Sequence, residues 1–331
     1  MSEPPLSYNV AALTVEDYFG YTPSIALAAV ATTLYFLAAV IILLELIISR
    51  NKNGIYLLLM VLTGLTEMGG YIALLWMTKN SGSADLYSAY VAMQVLVVLS
   101  PNVIQATTYK TVGKISIVGQ LESKRVWLRA NVISWGFIVA DLLALVVQAV
   151  GISIWATEKS SGTPNVDTVK LGSWITVAGL GLQLASFCVF TVLAIYIQRN
   201  KGNKFRAYRN HTLLFIGVYL VIVLVSIRNI FRFVEFTQSA ISYPDPGGLA
   251  ENQALFYSLE TLPILLTFAV YILLSPAFLL PKGHLHEFCG SRNSIAVDQS
   301  VNDDASSSCR GEENGPKQQK DDFVVVDLEA A

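Results

Sequence analysis

Charged side chains fall inside long apolar runs of the chain, among them Glu67, Asp141, Arg228, Arg232, Glu235 and Glu260. A charged side chain near the centre of a membrane helix costs about 2.5–3.5 kcal/mol on insertion scales. Six such groups left unpaired would cost more than roughly 10 kcal/mol, as much as the net stability of a whole fold. They must therefore face one another or a wet cavity. The chemistry open to them is ion pairing between helices, proton relay, or contact with the charged headgroup of an amphiphile.

Three of the six belong to one stretch, SIRNIFRFVEF, residues 226–236. At about 100° per residue, Arg232 lies roughly 40° round a helix from Arg228, and Glu235 about 20° on the other side. They form a single stripe. Pairing Arg232 with Glu235 one turn on, and Arg228 with Glu260 or Asp141, gives an interhelical lock. The same cluster can also line a cavity or relay protons, the default meaning of buried charge in a membrane. Both readings are open at the level of sequence.

Catalytic sites are harder to assemble. The histidines, His211, His284 and His286, fall at or beyond one edge of the apolar runs, so a zinc hydrolase site inside a bundle lacks its ligands. No GxxxxGK[ST] phosphate loop occurs, and Gly179-Leu180-Gly181 is too short for a dinucleotide loop. Glycines there suit close helix packing instead. Neither an enzyme activity, a metal nor a cofactor is expected.

The elements that must carry these residues are membrane helices. Of 331 residues, 53% are hydrophobic and 14% charged, against about 25% charged in an average soluble domain. A net charge of −2 offers no basic surface, so nucleic acid is not an expected partner. Seven apolar stretches each suffice to cross a hydrocarbon core of about 30 Å: 24–48, 55–77, 86–109, 131–155, 171–198, 212–238 and 254–280. The expected fold is all-α, a polytopic seven-transmembrane-helix bundle.

Orientation follows from the basic residues, which favour cytoplasmic loops. Arg50 and Lys52 follow the first stretch. Lys110, Lys114, Lys124, Arg125 and Arg129 follow the third, and Arg199, Lys201, Lys204, Arg206 and Arg209 the fifth. The other links carry only Lys79, Lys159 and Lys170. The N-terminus is expected outside and the C-terminus in the cytoplasm. Glu235 then falls near the outer surface, with Arg228 and Glu260 in the outer half. The opening MSEPPLSYNV lacks the features of a cleaved signal, so the first helix is expected to act as its own anchor.

Residues 1–23 read as an extracellular segment, 24–281 as the membrane domain and 282–331, rich in Ser, Asp, Glu, Asn and Gln, as a disordered cytoplasmic tail. The sequon at Asn210 lies in a cytoplasmic link and should stay unmodified. Cys188 sits inside a span and Cys289 and Cys309 in the tail, so no external disulfide is expected. Cys289 is a candidate for palmitoylation, beside the plainer reading of a free thiol.

An ordered series of short motifs gives the chain a resemblance. Tyr21, Pro23 and Ser24 form a Y-x-P-S before the first helix, and Glu67, Gly70 and Tyr71 an E-x-x-G-Y in the second. Pro101, Ala106, Tyr109 and Gly113 follow in the third, then Asp141, Gln148 and Gly151 in the fourth, and Gly179, Leu180, Gln183 and Phe187 in the fifth. Arg228, Arg232 and Glu235 supply R-x3-R-x2-E. The chain thus resembles the fungal lipid-translocating exporter family, also called RTA-like or aminocholesterol-resistance proteins, from Tyr21 to about Pro281. Three departures stand out: Gln253 occupies a position usually acidic, Glu260 replaces the usual Asp, and the family's Arg after the second-helix motif is missing.

The resemblance implies a plasma-membrane or endomembrane protein that translocates sphingoid-base-like lipids and confers resistance to toxic amphiphiles, with membrane lipids as partners. Some relatives are associated with porphyrin transport. Translocation residues expected on this basis are Glu67, Asp141, Gln148, Arg228, Arg232, Glu235 and Glu260. Glu67, Asp141 and Glu260 would contact an amine headgroup, with the arginines organising them. The alternative is a seven-helix lipid or stress sensor without transport. Against receptor types, the third stretch ends without an acidic-Arg motif, no NPxxY follows, and 254–280 has no lysine for retinal.

Overall fold

The apolar runs fold as helices because a chain in lipid must satisfy its backbone hydrogen bonds internally. The computed structural model describes residues 14–49, 52–83, 85–118, 130–160, 165–199, 211–242 and 252–279, and among these no strand occurs. A short α1 (Val15–Phe19) precedes α2 (Ile25–Ser49). A 3-10 turn, Lys52–Leu57, leads into α3 (Leu58–Lys79), followed by α4 (Leu86–Val118), α5 (Ala130–Ser160), α6 (Val166–Arg199) and α7 (His211–Ser242). The last crossing is composite: α8 (Gln253–Phe256), a π-turn (Tyr257–Thr261), α9 (Leu262–Leu273) and α10 (Pro276–Leu279).

Seven helical segments are long and apolar enough to cross a membrane, and the protein is an integral membrane protein of seven-helix type. The chain divides into two units, Met1–Lys282 and Gly283–Ala331, the second lying outside the described residues. Asn210, Cys289, His284 and His286 lie outside them as well, while Cys188 is an exposed free cysteine on α6.

Each helix turns its apolar face outward. On α5 the residues Val139, Leu142, Leu143, Val146 and Val150 are exposed, while Asp141, Ala144, Gln148 and Ile152 are buried. The buried set recurs every three to four residues, the helical period. It reads as a soluble helix inverted, with lipid as the solvent. The seam between α5 and α6 is set by small residues. A Cβ on Gly151 would stand 2.6 Å from the Thr176 amide nitrogen, and one on Gly172 would stand 2.7 Å from that of Trp155. The two backbones approach too closely for any side chain there.

Prolines shape two of the helices. Pro101 sits inside α4; lacking an N–H, it leaves the carbonyl of Val97, four residues back, without its helical donor. Pro263 opens α9, just after the π-turn in which the Leu262 N–H donates to Tyr257 O. The wider turn relieves the clash a proline ring makes with the carbonyl four residues earlier. The span expected as one continuous helix over 254–280 is therefore interrupted by a π-turn that contains Glu260. The spans also run longer than their apolar cores: α4 continues past Tyr109 to Val118, and α6 starts at Val166.

Candidate functional site

Glu260 is the hub. The π-turn places it facing α7, where Arg232 grips it with a two-pronged fork: Nε donates to Oε2 at 2.8 Å and Nη2 to Oε1 at 2.8 Å. Arg228 Nη2 donates to the same Oε1 at 2.6 Å and to Val97 O at 2.7 Å. The second contact uses the carbonyl that Pro101 frees, so a sequence feature of α4 fixes a side chain of α7. Arg228, Arg232 and Glu260 are each 2% exposed. Arg232 Nη1 also donates to Glu235 Oε2 at 3.1 Å, and its guanidinium carbon lies 6.0 Å from the centre of the Phe256 ring. Bidentate, charge-assisted bonds of this kind are the strong class.

The π-turn is pinned from the other side. Tyr35 of α2 donates to Thr261 O at 3.1 Å, and Tyr71 of α3 shares a hydrogen bond with the Thr261 hydroxyl. Tyr35 and Tyr71 stack at 5.6 Å between ring centres. Glu67, one turn before Tyr71 on α3, is buried beside Ser100 within electrostatic range of Arg228, Glu260 and Arg232. Tyr21, just before α2, completes the end of the cluster. Burial, then the nearby Tyr257 and Glu235, push its phenol above the ordinary range, so it remains a neutral donor.

A small cavity adjoins the cluster between α4, α5, α6 and α7, with Gln148, Gln183, Arg228, Asn229, Arg232 and Phe236 among its walls. It has room for about one water molecule. Three buried polar atoms of its lining residues have no hydrogen-bond partner: Gln148 Oε1, Arg228 Nε and Asn229 Nδ2. From it runs a chain of amides, Gln148 Nε2 to Gln183 Oε1 at 2.8 Å and Gln183 Nε2 to Gln105 Oε1 at 3.2 Å.

Asp141 stands apart. It is 3% exposed, and its Oδ2 accepts from the Tyr109 hydroxyl at 2.6 Å. The expected alternative partnership of Arg228 with Asp141 is not what the structure contains: Arg228 turns to Glu260. The physical reason is reach and geometry, since the π-turn brings Glu260 against α7 while Asp141 faces α4.

The family model described as "RTA1 like protein" matches residues 60–283. The chain belongs to the RTA1-like family. It is 26% identical over 202 residues to Protein RTA1 of Saccharomyces cerevisiae, covering 60% of this chain and 59% of that one. It is 23% identical over 274 residues to the probable lipid transporter atnI of Emericella nidulans, covering 78% and 67%. A third relative, the sphingoid long-chain base transporter RSB1 of S. cerevisiae, is 27% identical over 133 residues, 40% of this chain and 32% of that one. The chain thus spans well under the full length of these relatives. No solved structure matches.

Several RTA1-like motif residues take a structural meaning from this geometry. Pro101 frees the acceptor for Arg228, Tyr71 holds the π-turn, Gln148 and Gln183 bond each other, and Gly151 and Gly179 let α5 and α6 meet. Of the expected residues, Arg228, Arg232, Glu235 and Glu260 form one bonded group, Glu67 lies beside it and Gln148 lines its cavity. Asp141 does not join. Residues absent from the expected set are Asn229, Gln105, Tyr35 and Thr261. Gln105 was findable, being one turn from Tyr109 on the same helical face; Tyr35 and Thr261 carry no sequence signal because their roles arise between helices.

Proposed function

We propose that this RTA1-like protein translocates long-chain amphiphilic lipids with a cationic headgroup, of the sphingoid-base type, and thereby lowers sensitivity to toxic amphiphiles. One observation carries the reading: the cluster of Glu67, Arg228, Arg232, Glu235 and Glu260 sets three acidic groups against two guanidiniums. With Glu260 held by both arginines and Glu235 by Arg232, Glu67 is the carboxyl of the cluster left to receive an amine. Gln148 and Asn229, at the cavity, would meet the polar atoms next to it. Asp141, bonded to Tyr109 outside this cluster, is kept as a further headgroup contact. Arg228 and Arg232 hold the site in shape.

The relatives' names support the substrate class, and the basic-residue pattern supports an N-terminus outside and residues 282–331 as a cytoplasmic tail; the plasma membrane is the location that the family resemblance implies. The test is flux of a fluorescent long-chain base through vesicles holding the purified protein. Alanine at Glu67, Asp141 and Glu260, at unchanged amount in the membrane, is expected to abolish it. Flux that survives all three substitutions rules the reading out.

The tight, water-sized cavity favours a second reading, a lipid sensor that binds without transport. Saturable binding of the same probe with no flux would select it.

A further inference from the structure

We propose that the cavity between α4, α5, α6 and α7 is a hydroxyl-binding site, by which the protein selects amphiphilic amines that carry a hydroxyl close to the amine. The site rests on the translocation reading for its ligand and adds the group that tells one cationic lipid from another. Arg228, Asn229 and Gln148 line the cavity, are 2%, 3% and 1% exposed, and each keep one buried polar atom without a partner. Two of these atoms are donors, Arg228 Nε and Asn229 Nδ2, and the third, Gln148 Oε1, is an acceptor. Buried polar atoms are rarely left unpaired, so three around one cavity call for a shared occupant.

An alcohol oxygen fits these atoms one for one. It accepts twice and donates once, and so meets both donors and the acceptor. A water brings a second hydrogen, which none of the three can take. The other polar groups on the wall are engaged: the Thr176 hydroxyl donates to Gly172 O at 3.0 Å, Gln183 uses its carbonyl for Gln148 and its amide for Gln105, and Arg232 bonds Glu235 and Glu260. An anion fits worse, because Gln148 Oε1 would face it and Glu260 already takes the charge of Arg228. Room for about one water admits one oxygen and no carboxylate or phosphate.

The remaining direction round that oxygen belongs to carbon, and carbon is what the rest of the wall suits. Val98, Ile152, Leu180 and Phe236 line the same cavity and, with Val177, form an apolar cluster separate from the main core of the bundle. Polar atoms and apolar side chains thus meet at one point, as they do in a lipid where a hydroxyl-bearing carbon joins an alkyl chain. Arg228 sets the position of the hydroxyl along that lipid. Its Nη2 bonds Glu260, Glu67 lies within electrostatic range of the same side chain, and its Nε belongs to the cavity. An amine at Glu67 and a hydroxyl at Nε therefore share one guanidinium as neighbour, which puts both at the same end of the lipid.

Binding of two matched long-chain amines to the full-length protein in lipid nanodiscs tests the site without transport. One bears a single hydroxyl on the carbon beside that of the amine; the other lacks it. The native chain should hold the hydroxylated amine about tenfold more tightly, the worth of one good buried hydrogen bond. Asn229→Leu removes a donor and should erase the preference, which also corrects for any difference in how the two amines partition into lipid. Asn229→Ala serves where Asn229→Leu does not fold. Equal affinities in the native chain leave the cavity to water alone and overturn the proposal, as does a preference that survives loss of the Asn229 amide. Flux of the two amines through vesicles separates the site from the reading beneath it. A binding preference without flux overturns translocation and leaves the hydroxyl site standing, whereas flux of both amines with equal affinities does the reverse. Saturable binding of neither amine overturns both.

Discussion

Glu260 and Asp141 are buried alike, 2% and 3% exposed, and yet they live in opposite environments. Glu260 receives three hydrogen bonds from two guanidiniums and sits in a cluster that is mostly charge. Asp141 receives one from a phenol and sits among aromatic rings. Depth in the bundle therefore does not decide what a carboxyl does. The facing helix decides it: α7 presents arginines on one stripe, α4 a tyrosine.

That contrast can be broken or sharpened by substitution. The largest effect is expected at the charged end. Glu260→Gln leaves two buried guanidiniums short of their counter-charge, and losing one partner of a buried ion pair costs about 3–5 kcal/mol. Thermal unfolding of the purified protein in detergent measures it, and a loss below about 1 kcal/mol would reduce the hub to ornament. Next comes Tyr109→Phe, which removes the one donor to Asp141; an unsatisfied buried acceptor costs about 1–3 kcal/mol. Glu235, with its side chain 21% exposed, is a rim partner, so Glu235→Gln should cost about 0.2–1 kcal/mol, less at high salt. The smallest loss is expected for Asp141→Asn, under about 0.5 kcal/mol, because an amide of the same shape keeps an oxygen for Tyr109 and no buried cation loses its counter-charge. If Asp141→Asn unfolds the protein as readily as Glu260→Gln, the two carboxyls are equivalents and the distinction collapses.

The stripe of Arg228, Arg232 and Glu235 was legible because helical periodicity is a local property, and so was the Arg232–Glu235 pair one turn apart. The choice between Glu260 and Asp141 was not. It depends on a π-turn whose cause, Pro263, is visible in the sequence but whose effect is to rotate one residue relative to another helix. Crossing lengths were underestimated because apolar runs mark only the lipid-facing middle: α6 begins at Val166, ahead of Lys170, and keeps its hydrogen bonds beyond the oily core. The amide chain of Gln105, Gln183 and Gln148 joins three helices, so no window of sequence contains it.

Pro101 and Arg228 are 127 positions apart and act as one device. Returning an N–H at position 101 would let the helix reclaim Val97 O, and the guanidinium would lose its second anchor. Grafting the arginine stripe alone into another bundle would import a cation without the seat that steadies it. Lineages that drift at one of these two positions should therefore drift at the other, and a designer who wants this cluster elsewhere must move the broken helix together with the charge.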